Sequence, residues 1–331
     1  MNRFAVIAPA DLRSAARMLA RPDHAALAGG VDLLDLLKQN LAAPANLVNL
    51  KGLAGLDLIA EADDGVLRIG PLVKLSALAA HPRVHAHYMA LAEAAGEAAT
   101  PQIRNLATAG GNLLQRPRCW YFRNPDVNCL KKGGDRCYAV GGLNRYHAIL
   151  GGGPSFIVHP SNLAPALVAF DARVKLAGPA GERVVAMADF FTLPKAAVTR
   201  ENLLAPGEIL TAIELPAPPA GTRSVYLEVR EKQSFDWPLV AVAVVLAIDP
   251  GRHVRRARIV MGAVAPIPWR VPAAEQIIAG GALTPDRAAR AAEAALAGAA
   301  PLADNGYKVP IAKALVRRAI LRAGGLEAET V

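Results

Sequence analysis

The sequence predicts an α+β protein in which two consecutive α/β units precede a C-terminal unit of antiparallel sheet and helices. Three observations carry this. Strand and helix signals alternate through the first fifty residues, and a proline-rich stretch, Leu215–Gly221, interrupts the chain late. Beyond it three strand-like runs are followed by three helix-like runs. The chain has 331 residues, 53% hydrophobic and 20% charged. That is enough for one large core or two to three ordinary ones, and it argues against disorder.

Taken in order, FAVIAP reads as a strand and DLRSAARMLA as a helix with Asp11 at its N-cap. AALAGG is a strand running into a glycine turn, VDLLDLLKQN a second helix and NLVNL another strand. The result is a small βαβαβ-like unit. The second unit opens on the strand VLRIG, continues through LSALAAHP and the helical HAHYMALAEAAGEAA, and reaches a glycine-bearing turn at TAGGNLL. Residues 116–154 differ, being rich in Gly, Asn, Arg and Cys with little apolar periodicity. An irregular stretch of that length with three cysteines points to function. SFIVHPSNLAPALVAFDARVKLAG then gives strand, helix, strand, the helix starting at a Pro-Ser-Asn signal. After the proline-rich break, SVYLEVREK, LVAVAVVLAI and VRRARIVMGAV form a meander. VPAAEQIIAG, TPDRAARAAEAALAG and VPIAKALVRRAILRAG are helices.

The bulk numbers exclude little else. The net charge is +9, but the basic residues are dispersed and only 5% of residues are aromatic, so a stacked single-strand nucleic-acid platform is not expected. The longest apolar run, 238–248, is about half the roughly 20 residues of a membrane-spanning helix and reads as a buried strand. Arg13 and Arg17 interrupt the N-terminus where a signal peptide needs an apolar stretch. A cytoplasmic setting is expected, or export together with a partner.

Two short motifs are near-copies: Ala28-Gly29-Gly30-Val31-Asp32-Leu33-Leu34 and Ala109-Gly110-Gly111-Asn112-Leu113-Leu114. Glycine lets backbone approach phosphate oxygens closely and aim several N–H groups at one point; a following helix start adds positive partial charge. One such motif is weak; two in one chain favour a pyrophosphate clamp. The three cysteines, Cys119, Cys129 and Cys137, all lie in one short segment, an odd count that argues against a disulfide framework and for a reducing compartment.

The ordered set AGGVDLL, LSAL, TAGGNLLQ, HPSNLAPAL, FDWPLVAVA, GAVAPIPWRVPAAE and NGYKVPIAKALVRRAI resembles the FAD-binding medium subunits of molybdenum hydroxylases. That family includes carbon monoxide dehydrogenase, bacterial xanthine dehydrogenases and aldehyde oxidoreductases. The resemblance runs nearly end to end. It implies two α/β FAD-binding subdomains of the vanillyl-alcohol-oxidase type, 1–55 and 56–214, the second carrying a cysteine insertion at about 116–154. A C-terminal flavoprotein domain of small antiparallel sheet and helix bundle would follow at 222–326. By position, the FAD contacts it implies are Ala28, Gly29, Gly30, Val31, Asp32, Leu33, Leu34, Thr108, Gly110, Gly111 and Asn112, with Ser161 and Asn162 near the cofactor. Most relatives have Asp at position 162, so Asn162 removes a negative charge there.

The run RCWYFRNPDVNCLKKGGDRCYAVGGLNRYHAIL is similar to the inserted loop of a subgroup with an extra [4Fe–4S] cluster on the flavin subunit, as in periplasmic aldehyde oxidoreductase and 4-hydroxybenzoyl-CoA reductase. Cys119, Cys129 and Cys137 would be ligands, since soft anionic thiolates suit iron. A fourth cysteine is expected shortly before the HPS motif, where this chain has Ser155. Ser155, Asp126, Asp135 or His147 as ligand, a three-iron cluster and an open iron position all fit the residues. Zinc in a Cys₃His or Cys₃Asp site ranks second and three structural thiols third.

The resemblance implies electron relay with no catalytic acid–base pair on this chain. A large molybdenum subunit would oxidise substrate, a small [2Fe–2S] subunit would pass electrons to FAD here, and an external acceptor would take them. The rivals are a self-contained FAD-dependent oxidase or reductase and a zinc-stabilised binding protein. His81, His85 and His87 match neither one helix face nor a catalytic motif and read as solvated caps. Trp120, Tyr121 and Phe122 read as packing beside Cys119, and Arg317 and Arg318 as a polar helix face.

Overall fold

The computed structural model describes residues 1–62, 64–232 and 235–326. The chain opens as β1 (Ala5–Ile7), α1 (Leu12–Leu19), β2 (His24–Leu27), α2 (Val31–Lys38) and β3 (Asn46–Asn49). The three strands form a parallel sheet in the order β1-β3-β2. A capping box starts α1: Asp11 accepts from the Ser14 amide at 2.6 Å and Ser14 Oγ from the Asp11 amide at 3.1 Å. Ala15 and Ala16 of α1 pack with Val48, Leu50 and Ile209.

A second sheet gathers β4 (Ile59–Glu61) and β5 (Leu67–Ile69) with strands far along the chain. Between them lie the helices α3 (Leu75–Ala80), α4 (Pro82–His87), α5 (Met89–Glu97), α6 (Pro101–Arg104), α7 (Ala109–Leu113), α8 (Trp120–Arg123) and α9 (Leu163–Ala169). Then come β6 (Arg173–Gly178), β7 (Gly181–Ala186), α10 (Met187–Phe190) and β8 (Ile209–Leu215), giving the antiparallel order β4-β5-β8-β6-β7. Helix α9 is buried throughout, and with α3 and α5 it forms one core with the sheet. Tyr226, Ala241, Ala243 and Val260 of the third unit belong to that same core.

The third sheet is the meander β9 (Thr222–Val229), β10 (Val240–Ile248) and β11 (His253–Gly262), with short strands β12 (Trp269–Arg270) and β13 (Gly281–Ala282) on β11. Both faces of β10 are covered, which explains its nearly continuous apolar sequence. Helices α11 (Pro272–Ile278), α12 (Pro285–Ala295) and α13 (Lys308–Ala323) pack with it in a separate core. Among the described residues, no helix is long and apolar enough to cross a membrane.

Three local expectations are corrected. SFIV forms no strand; two isolated backbone bonds, Gly153 N–H to Ser155 O and Ala148 N–H to Phe156 O, hold it instead of a ladder. TAGGNLL is helical across Ala109–Leu113, capped by Thr108, and is not a simple turn. The helix expected over 85–99 breaks at Tyr88, whose backbone (φ −135°, ψ 48°) leaves the helical region while its ring packs edge-on to Phe170 and its hydroxyl donates to Pro216 O.

Candidate functional site

The two glycine motifs meet. A Cβ on Gly29 would lie 2.3 Å from the Leu106 carbonyl oxygen, so the first motif packs directly on the approach to the second. Between them opens a cavity of about 490 Å³. Of the residues expected at a cofactor, all but Leu34 and Ser161 line it. Leu34 is exposed, and Ser161 sits behind the wall, donating to Asn112 Oδ1 at 2.6 Å.

The motifs are built differently. Gly30 is left-handed (φ +77°) and stands at the N-cap of α2 without a side chain to offer, so the first-turn amides of α2 have no side-chain acceptor. That helix start can receive an anion. In the second motif the amides are committed. Ala109 N–H donates to Val73 O, Gly110 N–H to Pro71 O, Gly111 N–H to Thr108 Oγ1 and Asn112 N–H to Thr108 O. A Cβ on Gly110 would stand 2.7 Å from Pro71 Cβ. The second pair of glycines therefore allows close packing, and Thr108 keeps its hydroxyl proton to donate.

Asn112 and Asn162 are fixed by partners. Asn112 Oδ1 accepts from Ser161 Oγ and, at 3.3 Å, from the Leu163 amide, pinning the start of α9. Asn162 Nδ2 donates to Glu228 Oε2 at 3.0 Å and to Tyr226 Oη at 3.3 Å. Tyr226 Oη in turn donates to Glu228 at 2.7 Å. Burial pushes the Glu228 carboxyl above its ordinary range. Glu228 on β9 is in turn paired with Arg230, so the hydrogen-bonded group beside Asn162 is closed by a cation.

Asp32 lines the cavity, but its carboxylate is taken by the cysteine segment: the Arg116 amide at 2.8 Å, Arg118 at 2.8 Å and Arg123 at 2.7 Å. Arg123 also reaches Asp35 at 3.0 Å. Arg118 lies over the Trp237 ring, 4.7 Å from its centroid. Sequence spacing gave no signal for these arginines, for Trp237 or for the apolar wall of Ile103, Leu204 and Leu210.

All three cysteines are unpaired thiols. Cys119 caps α8, Cys129 is buried with Leu36 and Phe122, and Cys137 is half-buried. Burial pushes the Cys119 thiol up to about 11, and Cys129 and Cys137 stand close enough to oppose its ionisation further. His147 Nε2 is 3.2 Å from Cys119 Sγ, and burial holds the imidazole neutral with a pKa lowered to about 4. The other candidate ligands differ: Asp126 and Asp135 are exposed, and Ser155 is buried. Among the described residues no three His, Cys, Asp or Glu side chains converge to hold one metal ion. His85 and His87 are exposed, but His81, the N-cap of α4, is half-buried, makes no side-chain cap bond and has a buried, unpartnered Nδ1, so it is not the solvated cap expected.

The far end of the segment is anchored to the third unit. Asn305 Nδ2 donates to the carbonyls of His147 and Ala148, and Lys308 Nζ to those of Tyr146, His147 and Ala263. Lys308 is 1% exposed with no carboxylate partner among the described residues, and burial lowers its pKa to about 7.

A paired glycine cradle on an α/β core, joined to an antiparallel sheet and helix unit, defines a nucleotide-cofactor flavoprotein. The comparisons narrow the class. Residues 2–218 match the FAD binding domain in molybdopterin dehydrogenase, and residues 225–323 the CO dehydrogenase flavoprotein C-terminal domain. The aldehyde oxidoreductase FAD-binding subunit PaoB of Escherichia coli K12 is 39% identical over 87% of each chain. The carbon monoxide dehydrogenase medium chain of Hydrogenophaga pseudoflava is 30% identical over 96% of each. A solved carbon monoxide dehydrogenase from Hydrogenophaga pseudoflava superposes with a TM-score of 0.77 at 29% identity, covering 98% of both chains. The chain belongs to the FAD-binding medium subunits of the molybdenum hydroxylases, the flavoprotein subunits of oxidoreductase complexes.

Proposed function

We propose that this chain relays electrons in a molybdenum hydroxylase complex, holding FAD in the glycine-lined cavity and an iron–sulfur cluster in the cysteine segment. The observation that supports it most is the cavity lined by both glycine motifs, with an uncapped helix start at one side. Bound there, FAD supplies two-electron chemistry that can be passed on one electron at a time. The α2 amides receive the pyrophosphate, the Thr108 hydroxyl donates beside it, and Asn162, oriented by Glu228 and Tyr226, borders the cavity. The site residues given above from the resemblance are the proposed FAD contacts, with Leu34 and Ser161 supporting them.

For the cluster, Cys119, Cys129 and Cys137 would supply thiolates and His147 the fourth ligand, because His147 Nε2 lies 3.2 Å from Cys119 Sγ. We further propose the division 1–55, 56–214 and 222–326 and assembly with a large molybdenum subunit and a small [2Fe–2S] subunit as a heterotrimer. The names of the relatives support that assembly. Cytoplasmic residence fits three unpaired thiols. The test is a visible absorption spectrum of the purified protein with flavin, iron and zinc counted on the same sample. Flavin and iron together, with a broad band that bleaches on reduction, are expected. A colourless protein that cannot be loaded with FAD would overturn the reading, and flavin with zinc would overturn its cluster half.

A further inference from the structure

Helix α2 meets the glycine-lined cavity with a carboxylate in its first turn. Asp32 stands two residues after the left-handed Gly30, beside the uncapped amides, and it lines the cavity. An acid left free at a helix start claims the positive end of the dipole, which is the place a phosphate would use. Here the carboxylate is turned to the near limb of the cysteine segment instead. Its Oδ2 accepts from the Arg116 amide at 2.8 Å, and its Oδ1 lies 2.7 Å from Arg123 and 2.8 Å from Arg118. Asp35, three residues on and on the same face, shares those two guanidiniums at 3.0 and 3.4 Å. Two carboxylates facing two cations leave this face of α2 without net charge.

The cations are posed by their own limb. Arg123 Nε donates to Pro117 O at 2.7 Å and its Nη2 to Arg116 O at 3.0 Å. Arg118 lies over Trp237 and donates to Gln115 Oε1 at 3.3 Å. Arg123 stands outside the lining of the cavity, so it reaches a bound cofactor only through Asp32.

We propose that Arg123, helped by Arg118, is a positioning residue for FAD: it holds the Asp32 carboxylate away from the α2 amides and cancels its charge, leaving the helix start to the pyrophosphate. The proposal rests on the flavin reading above. It gives residues 116–123 a task in the flavin site that is separate from any metal the cysteines hold.

The test strips the full chain of FAD and measures its rebinding by quenching of flavin fluorescence, with melting temperature and iron recorded on each sample. Arg123→Gln should bind FAD about five- to tenfold more weakly, the effect of one uncompensated carboxylate several ångströms from a phosphate. Placed in an Asp32→Asn background, Arg123→Gln should cost little further affinity, since no charge is left to cancel. The loss caused by Arg123→Gln alone should also shrink between about 0.1 and about 1 M salt, because Asp32 borders an open cavity and its repulsion is screened. A loosened limb would weaken binding to the same degree at both salts. Unchanged affinity in folded Arg123→Gln, a loss that persists in the Asp32→Asn background, or a loss that salt does not reduce would each overturn the proposal. If Arg123→Gln does not fold, Arg118→Gln is read by the same criteria, and a loss that neither Asp32→Asn nor salt reduces overturns it. A wild-type chain that binds no FAD overturns the flavin reading and this proposal with it, whereas failure of the variants alone leaves that reading standing.

Discussion

The stretches Ala28–Leu34 and Ala109–Leu114 read almost alike, yet the chain uses them in opposite ways. In the first, a left-handed glycine ends a strand and opens a two-turn helix whose leading amides are left uncapped. In the second, the glycines sit inside a single helical turn whose amides are spent on Pro71, Val73 and Thr108. The first offers hydrogen bonds, and the second offers nearness. Glycine permits both, one through φ freedom and the other through the missing Cβ, and the letters alone do not say which. The lesson extends to the cysteine segment, whose site depends on side chains delivered by remote anchors and not on backbone shape.

The sharpest break in the comparison comes from adding one methyl group. Gly29→Ala and Gly110→Ala drive a Cβ into the Leu106 carbonyl and Pro71. Both should bind FAD more than tenfold more weakly and melt well below wild type. For Gly110→Ala this should hold although alanine favours a helix by about 1 kcal/mol. Gly30→Ala meets only the ends of the Leu34 and Leu27 side chains, at 3.3 and 3.4 Å, and its cost of about 1–2 kcal/mol comes from the left-handed backbone, so most flavin should remain. Flavin counts and melting curves on the three proteins check the ranking.

Lys308→Met tests the anchor. It removes the common donor of three carbonyls, two of them buried, and should cost about 3 kcal/mol. Iron should fall while flavin is retained, because the anchor holds the cysteine segment and not the glycine motifs; equal loss of both would deny that separation. His147→Ala should act on iron alone, lowering metal content with little change in melting, as read by metal analysis and the cluster's absorbance. At the small end, Thr108→Val removes the cap on Gly111 and the free hydroxyl for about 1 kcal/mol, and Thr108→Ser should restore both stability and FAD affinity.

Much of the fold was legible because its cues are local. Asp11 before an apolar-periodic run marks α1, and the alternation and length of the runs after Gly221 mark β9 to β11. The failures are tertiary. Nothing near Tyr88 announces that its ring is needed against Phe170, and the SFIV run has strand composition without a neighbouring strand. The glycine motifs were visible as a pair, but which one keeps free amides depends on Pro71 and Val73, which precede the second motif in an unremarkable loop. The contact between His147 and Cys119 was not legible, because only the fold brings these two residues, 28 positions apart, together. Lys308 and Asn305 likewise had no chemical signature until the chain closed around them.

The most direct test of the glycine comparison is a crystal structure of the FAD-loaded chain. The account predicts pyrophosphate oxygens within about 3 Å of the amide nitrogens that open α2 and of Thr108 Oγ1, with the bonds from Gly110 to Pro71 and from Ala109 to Val73 intact. Phosphates held on the amides of Ala109 to Asn112, with those bonds broken and the start of α2 empty, would contradict it.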